Sequence, residues 1–211
     1  MKLYNYFRSS ASFRVRIALN LKGLSYEYLP LHIRKPEDQK RLSALNPQTL
    51  VPILHDGEHQ LTQSLAIMEY LDETHPNPPL LPKNAAERAR VRALALIVAC
   101  EIHPLNNLRV LGYLTNTLGV SEEAKNQWYR HWIALGLRAF EAQVAGSSLS
   151  EKFCHGDTPG LADCCLYPQL ANARRFECDL SGYPTLLRIE SNCEALDAFK
   201  NAAPSRQPDA E

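Results

Sequence analysis

Prolines at positions 76, 78, 79 and 82 crowd residues 74–86. No helix or sheet ladder runs through such a stretch, because proline lacks the amide donor and its ring blocks the preceding turn. The segment cuts the chain into two parts of different character. Before it, residues 2–7 are short and aromatic-rich, as a buried strand would be. Residues 13–21 then run helically toward Gly23, a C-terminal stop. Residues 25–30 read as a second strand, followed by a polar connection over 34–41. Residues 51–54 and 60–63 flank His55-Asp56-Gly57, a hairpin signal, and residues 64–73 form a helix capped by Ser64. A parallel unit followed by an antiparallel hairpin and a helix predicts a small α/β sandwich. After the prolines only helical spacing remains. Val91, Leu94, Ala95, Val98, Ile102 and Leu105 recur at three- and four-residue steps, and Trp128, Trp132, Leu135 and Ala139 repeat the habit. Two domains are expected: α/β over 1–80 and an all-helical bundle over 87–211.

Composition narrows the partners. The 23 basic residues balance 23 acidic ones, so no basic field invites nucleic acid or an anionic membrane surface. No apolar run approaches the roughly 18 residues of a bilayer span. The first residues lack the basic-then-apolar layout of a secretion signal, which favours a cytoplasmic location. The six cysteines form neither a C-x-x-C pair nor a zinc-spaced set, so no metal site is expected and most should be buried. None falls in the turn between residues 9 and 12, which excludes a dithiol there.

Three local features bear on chemistry. Ser9 and Ser10 follow the first strand where a helix begins, so hydroxyls meet free backbone amides and the positive end of the helix dipole. Val51-Pro52 places a proline within a strand, which requires an edge, a bulge or a cis bond. Gln63-Ser64 brings an amide and a hydroxyl to a later helix N-terminus, a setting that suits a carboxylate. Taken singly, each is equally a capping serine or an edge proline. A fourth feature, Ile102 to Arg109, interrupts an apolar helix with Pro104 and a polar cluster. There His103, Asn106 and Asn107 would share one helix face, with Arg109 at its edge.

Read together and in order, these residues resemble the zeta-class glutathione transferases. The likeness is carried by Tyr6-Phe7-Arg8-Ser9-Ser10-x-Ser12-x-Arg14-Val15-Arg16-Ile17-Ala18-Leu19, and by Leu45-Asn46-Pro47, Val51-Pro52, Gln63-Ser64-Leu65-Ala66-Ile67 and Gln207-Pro208-Asp209. It implies a thioredoxin-like N-terminal domain, an all-helical C-terminal domain and a homodimer. It also implies glutathione as cofactor, its γ-glutamyl end at Gln63-Ser64, its cysteinyl backbone on a cis Val51-Pro52, and its sulfur toward Ser9 and Ser10. Ala11, itself an expected contact to glutathione, stands where the class motif carries cysteine, so no enzyme thiol is expected to take part. His32, His103, Asn107 and Arg109 are further expected contacts to glutathione. Arg8, Arg109 and Arg175 are expected to hold the carboxylates of a small dicarboxylate substrate, with Arg8 and Arg175 joining the two serines as catalytic groups. Arg174 is expected only to complement its helix end. Gly160 replaces the usual Ser or Thr cap of a core helix, with Asp163 at the capping-box position. The implied reaction is isomerisation of maleylpyruvate or maleylacetoacetate to the fumaryl isomer, in aromatic catabolism. Two other readings share these residues: a general transferase conjugating electrophiles, and a non-catalytic glutathione-binding protein.

Overall fold

The computed structural model describes residues 1–211, which divide into two compact units: Met1–Leu80 with Glu194–Glu211, and Leu81–Cys193. The first unit holds strands β1 (Lys2–Asn5), β2 (Glu27–Pro30), β3 (Ile53–Asp56) and β4 (His59–Thr62), ordered β2-β1-β3-β4. β1 pairs parallel with β2 and antiparallel with β3, and β3 pairs antiparallel with β4. The pleat decides which residue meets which layer. Tyr4 lies opposite Ile53, and that face packs with Leu31 and Leu42. Leu3 and Leu54, one residue along, point to the other face, on the side of helices α1 (Ser10–Leu21) and α3 (Ser64–Thr74).

Leu42 belongs to a helix, α2 (Pro36–Leu45), where sequence periodicity suggested a polar connection over 34–41. One buried residue gives almost no periodic signal. The helix is instead signalled at its start, by Pro36 in the first turn followed by Glu37 and Asp38. Asp38 also accepts the His32 amide at 2.9 Å. A second difference is that Ser64 begins α3 rather than capping it; Gln63 is the cap, with a φ of 68°. The third concerns the C-terminal segment, expected in the helical domain over 87–211. Residues 194–211 return to the first unit, where α9 (Asp197–Ala202) packs on α1. Arg16 Nε donates to Ala202 O (3.0 Å) and Asn20 Nδ2 to Ala198 O (2.9 Å).

The second unit contains α4 (Ala85–Leu96), α5 (Leu108–Asn116), α6 (Glu122–Ala145), α7 (Leu161–Arg175) and most of α8 (Pro184–Glu194). The helix expected to run through Leu105 ends early. Past α4 the backbone widens into a π-helical stretch, Ile97–Ile102, and His103 N–H reaches back to Val98 O (2.9 Å). This stretch lies against α6 at Gly136, where a Cβ would sit 2.3 Å from Ile102 Cγ1. The α6 core face is Tyr129, Ile133, Leu137, Phe140 and Val144, one residue out of phase with the expected Trp128–Ala139 stripe. Leu135, expected in the core, is 48% exposed. At α7, the Asp163 carboxylate accepts the amides of Gly160 (2.8 Å) and Cys154 (2.9 Å). Burial pushes its pKa up and those bonds hold it back. The capping box therefore works without a side chain at Gly160. Cys154, Cys164, Cys165 and Cys193 are buried. No helix is long and apolar enough to cross a membrane.

Candidate active site

Sheet register brings three of the predicted segments to one place in the first unit. Ile53 lies opposite Tyr4 on one side and Thr62 on the other. The residues leaving β1, entering β3 and leaving β4 therefore meet at one end of the sheet: Tyr6 to Ser9, Val51-Pro52 and Gln63-Ser64. Helices α1 and α3 both begin there, so two sets of unpaired amides face the same region.

Ser9 is the N-cap of α1. Its Oγ accepts the Ser12 amide (3.2 Å), and its own N–H closes a turn on Tyr6 O (3.0 Å). A hydroxyl that accepts one bond keeps its proton for another partner. Ser9 is half-buried, whereas Ser10 is only 7% exposed. Of the two neighbouring hydroxyls, Ser9, the expected leading one, is the more exposed. Ala11 is half-buried in the first turn.

Val51-Pro52 is cis, and Val51 is half-buried. Asn46 shapes the loop before it, donating from Nδ2 to Leu50 O (2.8 Å) and accepting the Gln48 amide (3.0 Å). Gln48 in turn accepts from Gln63 Nε2 at 2.8 Å, fixing an otherwise exposed side chain. Ser64 Oγ is buried and accepts from Arg14 Nη1 (3.2 Å), which ties α1 to the start of α3. His32 packs edge-on to Tyr6 at 5.0 Å, with Nε2 3.6 Å from a Glu211 carboxylate oxygen. Arg8 is exposed, its guanidinium 5.0 Å from the centre of the Phe7 ring.

The remaining predicted residues belong to the second unit. His103, Asn106 and Asn107 do not share a helix face, because the chain turns between Ile102 and α5. Asn107 caps α5 by accepting the Arg109 amide (3.1 Å), and Asn106 Nδ2 donates to Tyr129 O (3.2 Å). Arg109 is exposed in the first turn of α5. Arg174 pairs with Glu190 of α8, beyond the expected complement to its helix end. Arg175 ends α7, exposed and 5.4 Å from the Phe176 ring centre. Phe176 stacks on Tyr129 at 3.6 Å, and its carbonyl accepts from Arg130 Nε (2.8 Å), so this ring is a fixed platform. Burial pushes the Tyr129 phenol up to about 12, with Arg175 pulling the other way.

Sequence reasoning missed Gln48 and Arg16. The signal for Arg16 was present: an arginine amid the apolar residues Val15, Ile17, Ala18 and Leu19 must find internal acceptors. Gln48 carried no pattern at all.

Hydroxyl and amide donors at two helix N-termini fit a peptide bearing both a carboxylate and a thiol. Comparison with known proteins agrees. Residues 1–73 match the family model for the glutathione S-transferase N-terminal domain. The chain is 53% identical over 211 residues to maleylpyruvate isomerase of a Ralstonia species, covering all of both chains. A holo structure of maleyl pyruvate isomerase, described as a bacterial zeta-class glutathione S-transferase, superposes with a TM-score of 0.97 at 52% identity and full coverage of both. Maleylacetoacetate isomerase of Methylobacterium extorquens AM1, solved with malonate and glutathione bound, gives 0.93 at 42% identity, also with full coverage of both.

Proposed function

Because the chain belongs to the zeta-class glutathione transferases, we propose that it isomerises maleylpyruvate or maleylacetoacetate to the fumaryl form with glutathione as cofactor. The observation that carries this reading is the half-buried Ser9 hydroxyl, its proton uncommitted, at the N-terminus of α1. Glutathione supplies a thiol that serves as both nucleophile and leaving group, so that a conjugated cis double bond becomes single, rotates and re-forms as trans.

The chain's own residues have three tasks. Ser9 donates to the sulfur and, with the α1 amides, favours its anionic form. Val51 offers backbone groups to an extended peptide, while Gln63, Ser64 and the α3 amides receive its carboxylate end. Arg8, Arg109 and Arg175 pair with the carboxylates of the small dicarboxylate substrate and with charge developing on its oxo group. Ultraviolet assay of both maleyl acids, with and without glutathione, tests the reading. Turnover without glutathione, or none with it, overturns it.

A general electrophile transferase would use the same first unit, and Arg175 separates the two. Nothing acidic pairs with its guanidinium, which rests over Phe176. Arg175→Ala is expected to raise KM for the maleyl acid about tenfold, the value of one charge-assisted bond, and to leave glutathione affinity nearly unchanged. A neutral electrophile should lose far less. Equal losses for both would make Arg175 a structural residue.

The protein is further expected to act as a homodimer, as its class resemblance implies. Light scattering at micromolar concentration checks this, and a monomer there contradicts it.

A further inference from the structure

Phe7, two residues before Ser9, is held at both of its backbone groups, which belong to successive peptides. Phe7 N–H donates to Asp209 Oδ2 (3.2 Å), and Phe7 O accepts from Arg16 Nη2 (3.0 Å). Arg16 is fully buried and also donates from Nη1 to Asn5 Oδ1 (2.9 Å) and from Nε to Ala202 O (3.0 Å). The second oxygen of Asp209 accepts a hydrogen bond from the Tyr28 hydroxyl. Burial lowers the Arg16 guanidinium to about 10, so it stays cationic at neutral pH, with Tyr28, Tyr26 and Asp209 pulling it back up. Burial and the bond to Asp209 both raise the Tyr28 phenol, which therefore stays a donor.

We propose that Asp209 is a positioning residue for the Ser9 turn: its carboxylate, held by Tyr28, fixes the Tyr6–Phe7 peptide and with it the place of Ser9 Oγ at the start of α1. The inference rests on the reading of Ser9 as the donor to glutathione sulfur.

Two features of the geometry carry it. Ser9 N–H closes on Tyr6 O, the carbonyl of the same Tyr6–Phe7 peptide whose N–H Asp209 accepts, so rotating that peptide moves the hydroxyl. A donor misplaced by about 1 Å loses much of its effect on a developing anion. The acceptor must also be a carboxylate. Two donors, an amide and a phenol, converge on its two separate oxygens, and asparagine would offer only one. The Gln207-Pro208-Asp209 segment thus acts on the site through the backbone. Gln207 anchors this segment, donating from Nε2 to Asn201 O and Ala203 O, both at 2.8 Å.

The test follows thiolate absorbance of glutathione against pH on the full-length protein, on Asp209→Asn and on Tyr28→Phe. Amide hydrogen exchange at Phe7, without glutathione, is the second readout. The unaltered protein should lower the thiol pKa below that of free glutathione. Asp209→Asn should raise it by about one unit, a tenfold loss of thiolate at neutral pH. Tyr28→Phe keeps the ring packing and should shift it the same way by less. Phe7 exchange should quicken in both variants while glutathione affinity changes little. Should Asp209→Asn fail to fold, the thiol pKa and Phe7 exchange of Tyr28→Phe decide between the two outcomes. A thiol pKa unmoved in the folded variants overturns the proposal and leaves Asp209 a packing residue. Failure of the unaltered protein to lower the pKa overturns the Ser9 reading itself, and the positioning role falls with it.

Discussion

Replacing Ser9 with alanine should lower turnover at neutral pH by about a hundredfold, the usual loss when one donor to a developing anion is removed. Glutathione binding should weaken much less, because Val51, Gln63, Ser64 and the α3 amides are untouched. The sign of the pH effect follows from the chemistry. Removing a donor that favours the thiolate raises the thiol pKa, so the acid limb of the rate profile moves to higher pH. The deficit then shrinks as pH rises. Ser10→Ala is the comparison, since at 7% exposure Ser10 has little surface to offer a ligand. An acid limb that stays put in Ser9→Ala would remove the hydroxyl from the chemistry. A larger shift from Ser10→Ala would transfer the role to its neighbour.

The sequence puts Ser9 ahead of Ser10 without separating them, whereas the elements around the two serines are legible in it. Hairpin chemistry at His55-Asp56-Gly57 and capping at the end of β1 are local signals, and the structure places both where the sequence indicates. Choosing between two adjacent hydroxyls depends on which one the first helical turn buries, and that is set by packing. The same limit explains the other differences. α2 buries only Leu42, so no periodicity reveals it. In α6 the stripe through Tyr129 and the stripe through Trp128 have equal helical spacing, and only contact with Ile102 at Gly136 selects the first. His103 and Asn107 looked coplanar because an unbroken α-helix was assumed across Pro104. The return of residues 194–211 to the first unit is a long-range event, in which the buried Phe199 and Ala202 pack with α9 on α1 and Ala202 O accepts from the buried Arg16.

A buried cation of the first unit gives the second large effect. Lys22, at the end of α1, has no exposed side-chain surface, and Asp72 has 12%. The three protons of its ammonium group go to Asp72 Oδ1 (2.8 Å), His75 O (2.7 Å) and Pro78 O (2.9 Å). Asp72 Oδ1 also accepts the Leu80 amide at 2.7 Å. One ion pair therefore ties the end of α1 to the end of α3 and to the proline segment that follows. Leaving one member of such a pair uncompensated costs about 3–5 kcal/mol. Asp72→Asn should show that loss, since the ammonium then faces only neutral acceptors. Lys22→Met should lose a comparable amount, because the carboxylate and two carbonyls forfeit their donor. For a chain of this size the cost corresponds to a fall in Tm of about 10 °C. The two substitutions combined should cost less than their sum, as partners in contact do. Both tryptophans lie in α6 of the other unit, so fluorescence is a poor monitor. Circular dichroism, with hydrogen exchange at Leu3 in the core of the sheet, reports on the right one. Losses below about 1 kcal/mol in both single variants would mean that water reaches the site and replaces the missing partner, and Lys22 would then be no tie between the helices.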